Sequence, residues 1–108
     1  MNFYVTASGR SPVEDFISSL PKGDRARVLE SVVAIESLGL SAPRVQFRQI
    51  RGKLWEVKIK TPSGSYRLFY VMVASDEMVV LHGFKKKTPK APKKEIEIAE
   101  KRMKEVIK

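Results

Sequence analysis

The first third of the chain carries apolar residues at helical spacing, and the middle carries them at strand spacing. A short apolar stretch, Phe3–Val5, is typical of an edge strand. Ser11, Pro12 and Glu14 form a capping box with a proline in the first turn. This motif predicts a helix that runs to about Leu20, where the stretch of residues 21–23 ends it.

A second helix is predicted from Asp24, as its N-cap, to Leu38, with Gly39 ending it. Its buried stripe would consist of Val28, Val32 and Ile35, with Leu29 and Val33 beside them. Because the link between the two helices is short, we expect an antiparallel helical hairpin.

From Val45 onward the apolar period changes from 3.6 to 2, which predicts β-strands. In the first strand Trp55, Val57 and Ile59 alternate with Glu56, Lys58 and Lys60. The nearly continuous apolar run Tyr66–Val73 is typical of a central strand, and a turn at residues 75–77 leads into a third strand, Met78–Phe84. Three sequential antiparallel strands form a meander.

Helical spacing returns from Glu95 to Lys108, with Ile96, Ala99, Met103 and Val106 on one side. The predicted fold is therefore a single α+β domain over residues 1–108: two N-terminal helices on a curved antiparallel meander, with a C-terminal helix. We expect the helices to cover one face of the sheet, because its apolar face must be buried. The opposite face would be free for a ligand.

The net charge of +9, with an isoelectric point near 10.0, points to a polyanionic partner. Nucleic acid is the commonest polyanion in a cytoplasm, although a thermophilic protein's lysine-rich surface or an acidic protein partner would also explain the charge. No apolar run approaches the roughly 18 residues needed to span a bilayer, and the N-terminus does not resemble a signal peptide. We therefore expect a cytoplasmic protein with no membrane partner.

The absence of cysteine excludes disulfides, thiolate zinc sites and a cysteine nucleophile, and His82 is the only histidine. From residue 44 to residue 84 the only acidic side chains are Glu56, Asp76 and Glu77, too few for a clustered divalent-metal site. We expect no metal and no cofactor, so that any chemistry depends on Lys, Arg, Tyr, Glu, Asp or His82.

Arg67 is the most informative single residue, because its permanent charge lies within the otherwise apolar strand from Tyr66 to Tyr70. A buried guanidinium must meet an acid, a group of carbonyls or a ligand phosphate. Two interpretations remain open: a structural ion pair, for instance with Glu56, and a phosphate-binding site.

Other residues could extend such a site. Lys58, on the polar side of its strand, is either solvated or faces the same concavity as Arg67. His82 is either structural or a general acid or base that titrates near neutral pH. Candidate RNA-binding residues are Arg48, Arg51, Lys53, Lys85, Lys87, Lys90 and Trp55, which would stack on a base, although its parity with Val57 favours a core position.

Several segments together resemble the phage-derived, HigB-like branch of the RelE/ParE toxin superfamily. They are Leu54-Trp55-Glu56-Val57, Tyr66-Arg67-Leu68-Phe69-Tyr70, residues 81–92 and residues 95–99. The most specific is Leu81-His82-Gly83-Phe84 with the lysines and prolines that follow it, and the resemblance extends from Phe3 to Ile107. It implies a RelE-like fold and a type II toxin that cleaves messenger RNA at the ribosome, silenced by a cognate, acidic antitoxin.

The resemblance also assigns roles. Arg67 matches an arginine that contacts the scissile phosphate, Lys58 a lysine near the attacking hydroxyl, and Lys86 a basic residue near the leaving group. No tyrosine follows Phe84, where RelE has a catalytic one, and His82 is the candidate substitute. The expected metal-independent reaction is attack of the ribose 2′-hydroxyl on the adjacent phosphate, with fixed cations stabilising the phosphorane.

Two alternatives share these features. One is a noncatalytic ParE-like toxin that binds gyrase, and the other is a nucleic-acid-binding module without activity. A common fold does not distinguish among these functions.

Overall fold

A five-stranded sheet forms the centre of the computed structural model, which describes residues 1–107. Its strands are β1 (Asn2–Phe3), β2 (Val45–Arg51), β3 (Leu54–Thr61), β4 (Gly64–Ala74) and β5 (Glu77–Lys85). The helices are α1 (Pro12–Ser18), α2 (Lys22–Leu38) and α3 (Lys93–Val106), and a 3-10 turn at Gly39–Ser41 follows α2. The predicted α+β fold class is confirmed.

The sheet has the strand order β1-β5-β4-β3-β2, and the last four strands form an antiparallel meander. This meander has one strand more than predicted, since β2 and β3 are separate strands joined at Gly52, whose φ is 55°. The predicted meander is antiparallel, and β1 adds a parallel edge strand beside β5, so the sheet as a whole is mixed. Pairing between strands so far apart in sequence leaves no local signal.

The start of α1 is as predicted, because the Ser11 hydroxyl accepts a hydrogen bond of 3.4 Å from the backbone N–H of Glu14. Two predicted helix boundaries were wrong. α1 ends at Ser18, earlier than expected, and α2 begins at Lys22 with Pro21 at its N-cap.

Asp24 therefore lies in the first turn of α2 and is not its cap. Its carboxylate is buried and accepts hydrogen bonds from the Ser63 backbone N–H (3.2 Å), the Ser63 hydroxyl and the Tyr66 hydroxyl (2.6 Å). These bonds, led by that from the Ser63 hydroxyl, lower the pKa of Asp24 to about 2. An acid that would have capped the helix instead joins α2 to the turn between β3 and β4.

The two faces of the sheet have separate cores. α1 and α2 cover one face, where Val13, Ile17, Val28 and Val32 meet Val57, Ile59, Leu68 and Tyr70. α3 packs on the other face, where Ala99 meets Leu54, Phe69, Val71 and Leu81. The expectation that the helices share one face was therefore wrong for α3, and only the part of the second face beyond α3 is open.

Gly83 allows α1 to lie close to β5. A Cβ atom at this position would lie 2.9 Å from Cδ2 of Leu68 and 3.0 Å from Cδ2 of Phe16. Such distances are shorter than carbon–carbon contact, so the close approach of helix and strand requires glycine here. Among the helices of residues 1–107, none has the length and apolar character needed to cross a membrane.

Candidate active site

The part of the second face beyond α3 carries a group of cations around one acid. Side chains alternate along β3, so Glu56 and Lys58 lie on this face, and strand pairing places Arg48 opposite Glu56 and Arg67 opposite Lys58. We call the group the cationic cluster; it consists of Arg48, Lys58, Lys60, Arg67 and Lys86 around Glu56.

Arg67 is the buried centre of the cationic cluster, with a side chain only 2% exposed. Its Nη1 lies 3.5 Å from Oε2 of Glu56, and its Nη2 donates a hydrogen bond of 2.8 Å to the carbonyl oxygen of Pro89. The structural ion pair considered from the sequence is therefore present. Within residues 1–107, however, Nε has no hydrogen-bond acceptor, and Nη1 and Oε2 of Glu56 face each other without forming a hydrogen bond.

Glu56, 3% exposed, holds two arginines in place. Its Oε1 lies 3.2 Å from Nη2 of Arg48, whose side chain is 54% exposed, and its Oε2 faces Arg67. The sequence pointed to Glu56 only as a possible partner of Arg67. The sequence did contain a signal that Glu56 binds more than one cation. Glu56 and Lys58 are two residues apart on one strand, so Glu56 lies on the same face as the basic residues.

Lys58 has an environment that favours its neutral form. Partial burial lowers its pKa first, and the charges of Lys86, Lys60 and Arg67 lower it further, while Glu56 opposes them. A lysine of lowered pKa releases its proton more readily and can then accept one from a substrate.

Lys86 completes the group of three predicted catalytic residues that the structure brings together. Its backbone N–H donates to the carbonyl oxygen of Ser65 (2.8 Å), which extends the pairing of β4 and β5 by one residue. This bond places Lys86 near Lys58, whose pKa its charge lowers.

His82, the fourth predicted catalytic residue, makes its contacts elsewhere. Its ring stacks on Phe84, its Nε2 lies 2.9 Å from Oε1 of Glu95, and its Nδ1 lies 3.3 Å from Nη1 of Arg102. Burial lowers its pKa, and the hydrogen bond with Glu95 opposes that shift. Since both ring nitrogens face side chains of α3, these contacts indicate that His82 attaches α3 to β5.

Three of the predicted RNA-binding residues are directed away from the cationic cluster. Arg51 forms a bidentate ion pair with Glu100 of α3. Lys85 lies over the ring of Tyr66 on the opposite side of β4, 6.0 Å from its centroid. Trp55 shares the α1–α2 face with Val57, as its parity predicted, but it lies beyond the end of α2 and is 36% exposed.

The other four remain accessible. Arg48 belongs to the cationic cluster, and Lys53 is exposed at the turn between β2 and β3. Lys87 and Lys90 are exposed on the segment between β5 and α3, which the hydrogen bond from Arg67 to Pro89 fixes beside the cationic cluster.

The cationic cluster offers chemistry with anions rather than with metal ions. The cationic cluster brings Arg67, Lys58 and Lys86 together around one acid, a combination that suits the oxygens of a phosphate. Among residues 1–107, no three His, Asp or Glu side chains are close enough together to hold a metal ion.

Comparison with protein families gives one match. The model of a family described as "Phage derived protein Gp49-like (DUF891)" matches residues 15–104. This range includes the whole cationic cluster and every element except β1, the start of α1 and the end of α3. No curated protein matches the chain.

Proposed function

We propose, from the premise that the chain belongs to the Gp49-like family of phage-derived proteins, that it is a HigB-like toxin that cleaves messenger RNA. The family is RelE-like and is associated with toxin–antitoxin systems. The proposal adds the enzymatic activity, the substrate and the site.

The observation that carries the proposal is the incomplete hydrogen bonding of Arg67. Buried polar groups in proteins are almost always paired, and an unpaired buried donor costs about 1–3 kcal/mol, more for a charged group. Nε of Arg67 lacks an acceptor within residues 1–107, Nη1 has only the ion pair with Glu56, and the charge of Arg67 acts on the neighbouring Lys58. A phosphate diester would supply the missing acceptors and neutralise the surrounding positive charge.

The proposed reaction is an internal transfer within the RNA. Lys58, in its neutral form, accepts the proton of the ribose 2′-hydroxyl, whose oxygen forms a bond to phosphorus. The bond from phosphorus to the 5′-oxygen breaks, and Lys86 protonates that leaving oxygen. Arg67 stabilises the charge that the phosphorane gains in the transition state. The products are a 2′,3′-cyclic phosphate and a 5′-hydroxyl.

This chemistry suits a metal-independent enzyme, because fixed cations provide the charge stabilisation that metal ions provide in other nucleases. We propose that Arg48, Lys53, Lys87 and Lys90 contact neighbouring phosphates of the strand. The expected partners are messenger RNA on the ribosome and an acidic antitoxin that the charge of +9 would attract.

The test is to map RNA ends in a translating extract that contains the purified chain. We expect new 5′-hydroxyl ends, and a loss of about 10²- to 10³-fold in cleavage rate for Arg67→Lys, which keeps the charge but not the planar donor set. Lys22→Ala, an exposed position at the start of α2, is the matched control and should cleave normally.

The remaining outcomes point to other functions. Ends that carry a 5′-phosphate would contradict the roles proposed for Lys58, Arg67 and Lys86 together. Gyrase-dependent DNA breaks without RNA cleavage would support the ParE-like alternative, and RNA binding without either activity would support a passive nucleic-acid-binding module.

A further inference from the structure

The sheet face that carries α1 and α2 is uncovered beyond the end of α2. There Ile35, Leu40, Trp55, Tyr70 and Met72 line a groove of about 600 Å³. Leu40 is 74% exposed, Met72 41% and Trp55 36%. We call this feature the apolar groove; it lies on the opposite side of the sheet from the cationic cluster.

Two further apolar side chains are exposed on the outside of α2. Leu29 and Val33, expected from the sequence beside the buried stripe, are 47% and 60% exposed. Val33 lies one helical turn before Glu36, which is at the rim of the apolar groove. Single exposed apolar residues are ordinary in proteins, but a concave group of them with an apolar extension is typical of a binding surface.

The charges around the apolar groove differ from those of the rest of the molecule. The chain has 21 Lys and Arg residues, yet none lines the groove, whose charged side chains are Glu36 and Asp76. Glu36 lies 3.8 Å from the α-ammonium group of Met1, and Asp76 makes no ion pair within residues 1–107. The rim therefore carries two carboxylates, one of them beside the α-ammonium group of Met1, and no Lys or Arg side chain.

The shape and the charges of the apolar groove indicate which kind of molecule it binds. Apolar walls and acidic side chains exclude RNA, and a second copy of the chain would bring another charge of +9 to a molecule that it repels. The uncovered surface continues the layer that α1 and α2 form on the sheet, where a further helix would pack in the same way. We propose that the apolar groove binds an amphipathic helix of a protein partner, with Lys or Arg on that helix facing Glu36 and Asp76.

Trp55, the only tryptophan, gives the binding assay, because its emission shifts to shorter wavelength when a ligand excludes water from the groove. The probe is a designed helical peptide with leucines at positions i, i+3, i+4 and i+7 and lysines along their flank. We expect a saturable blue shift, and at least tenfold weaker binding of a matched peptide with glutamates in place of the lysines.

Variants locate the binding. Leu40→Ser should abolish the shift and Glu36→Lys should weaken binding of the lysine peptide, while Val5→Ser, an exposed apolar position outside the groove, should have no effect. If circular dichroism shows that Leu40→Ser does not fold, Met72→Thr, on the exposed end of β4, is the second variant and should abolish the fluorescence shift.

The proposal is overturned if no saturable shift occurs, if both peptides bind equally, or if Leu40→Ser and Met72→Thr bind as the wild type does. A shift that depends only on the concentration of the chain would also overturn it, in favour of a second copy. An RNA oligonucleotide should not displace the peptide, so this result is independent of the proposed ribonuclease activity.

Discussion

Replacing Glu56 with glutamine should destabilise the fold more than replacing Arg67 with glutamine, although the two side chains form one ion pair. The asymmetry comes from Arg48, the second cation on Glu56. Without Arg67, the carboxylate keeps Arg48 at 3.2 Å. Without Glu56, the buried Arg67 keeps only the Pro89 carbonyl and faces Arg48 with no acid between them.

The expected magnitudes follow from the geometry. At the 3.5 Å separation of Nη1 and Oε2, the attraction is about 5 kcal/mol for an effective dielectric constant of about 20. Removal of one partner from a buried pair costs about 3–5 kcal/mol, and we expect this range for Glu56→Gln. For Arg67→Gln we expect about 1–3 kcal/mol, because the remaining carboxylate is still paired with Arg48.

Urea unfolding followed by Trp55 emission measures both free energies without screening the charges. The double variant Glu56→Gln/Arg67→Gln should be more stable than Glu56→Gln alone, because it no longer contains the unpaired buried cation. Equal costs for the two single variants, or a larger cost for Arg67→Gln, would refute the assigned role of Arg48. A double variant less stable than Glu56→Gln would refute the idea that Glu56→Gln leaves Arg67 as an unpaired buried cation.

Three further predictions concern pH and salt. Burial and neighbouring cations lower the pKa of Lys58, so the rate of RNA cleavage should rise with pH and level off below pH 10.5. A rise that persists in Lys58→Arg would contradict the role of Lys58 as the base. Hydrogen bonds from Ser63 and Tyr66 lower the pKa of Asp24 from 3.8 to about 2. The contribution of Asp24 to the free energy of unfolding should therefore be complete above about pH 4 and lost as the pH falls to about 2. In acid unfolding, this pH dependence should vanish in Asp24→Asn and persist in the control Asp15→Asn. The association rate of an acidic antitoxin, measured by stopped flow, should fall steeply as salt rises, since charges are screened within about 10 Å at 0.1 M; a rate independent of salt would argue against electrostatic steering.

The parts of the fold that depend on neighbouring residues were predictable from the sequence. The capping box at Ser11 marked α1, and the change of period marked the later strands. Asp24 was misassigned because its hydrogen-bond partners, Ser63 and Tyr66, come from a turn some 40 residues away in sequence. The parallel pairing of β1 with β5 has the same origin, since no local pattern encodes a contact between residues 2–3 and residues 79–80.

The sequence predicted those parts of the site that depend only on the alternation of side chains along neighbouring strands. Parity and the turn between β3 and β4 place Lys58 opposite Arg67. The position of α3 is a matter of tertiary packing, so the sequence did not reveal that His82 and Arg51 make their contacts with that helix. Trp55 was assigned to the correct face, but the point at which α2 stops covering that face could not be read from alternation.

Gly83 belongs to the segment that carries the most specific part of the sequence resemblance, yet its place against Phe16 and Leu68 gives it a task in assembly rather than in catalysis. Selection for a stable junction between α1 and β5 would keep this glycine even in a copy whose cationic cluster had decayed. The Leu-His-Gly-Phe segment therefore reports on the architecture of the fold and not on its chemistry. Loss of the proposed activity would show at Arg67, Lys58 and Lys86, which lie outside that junction.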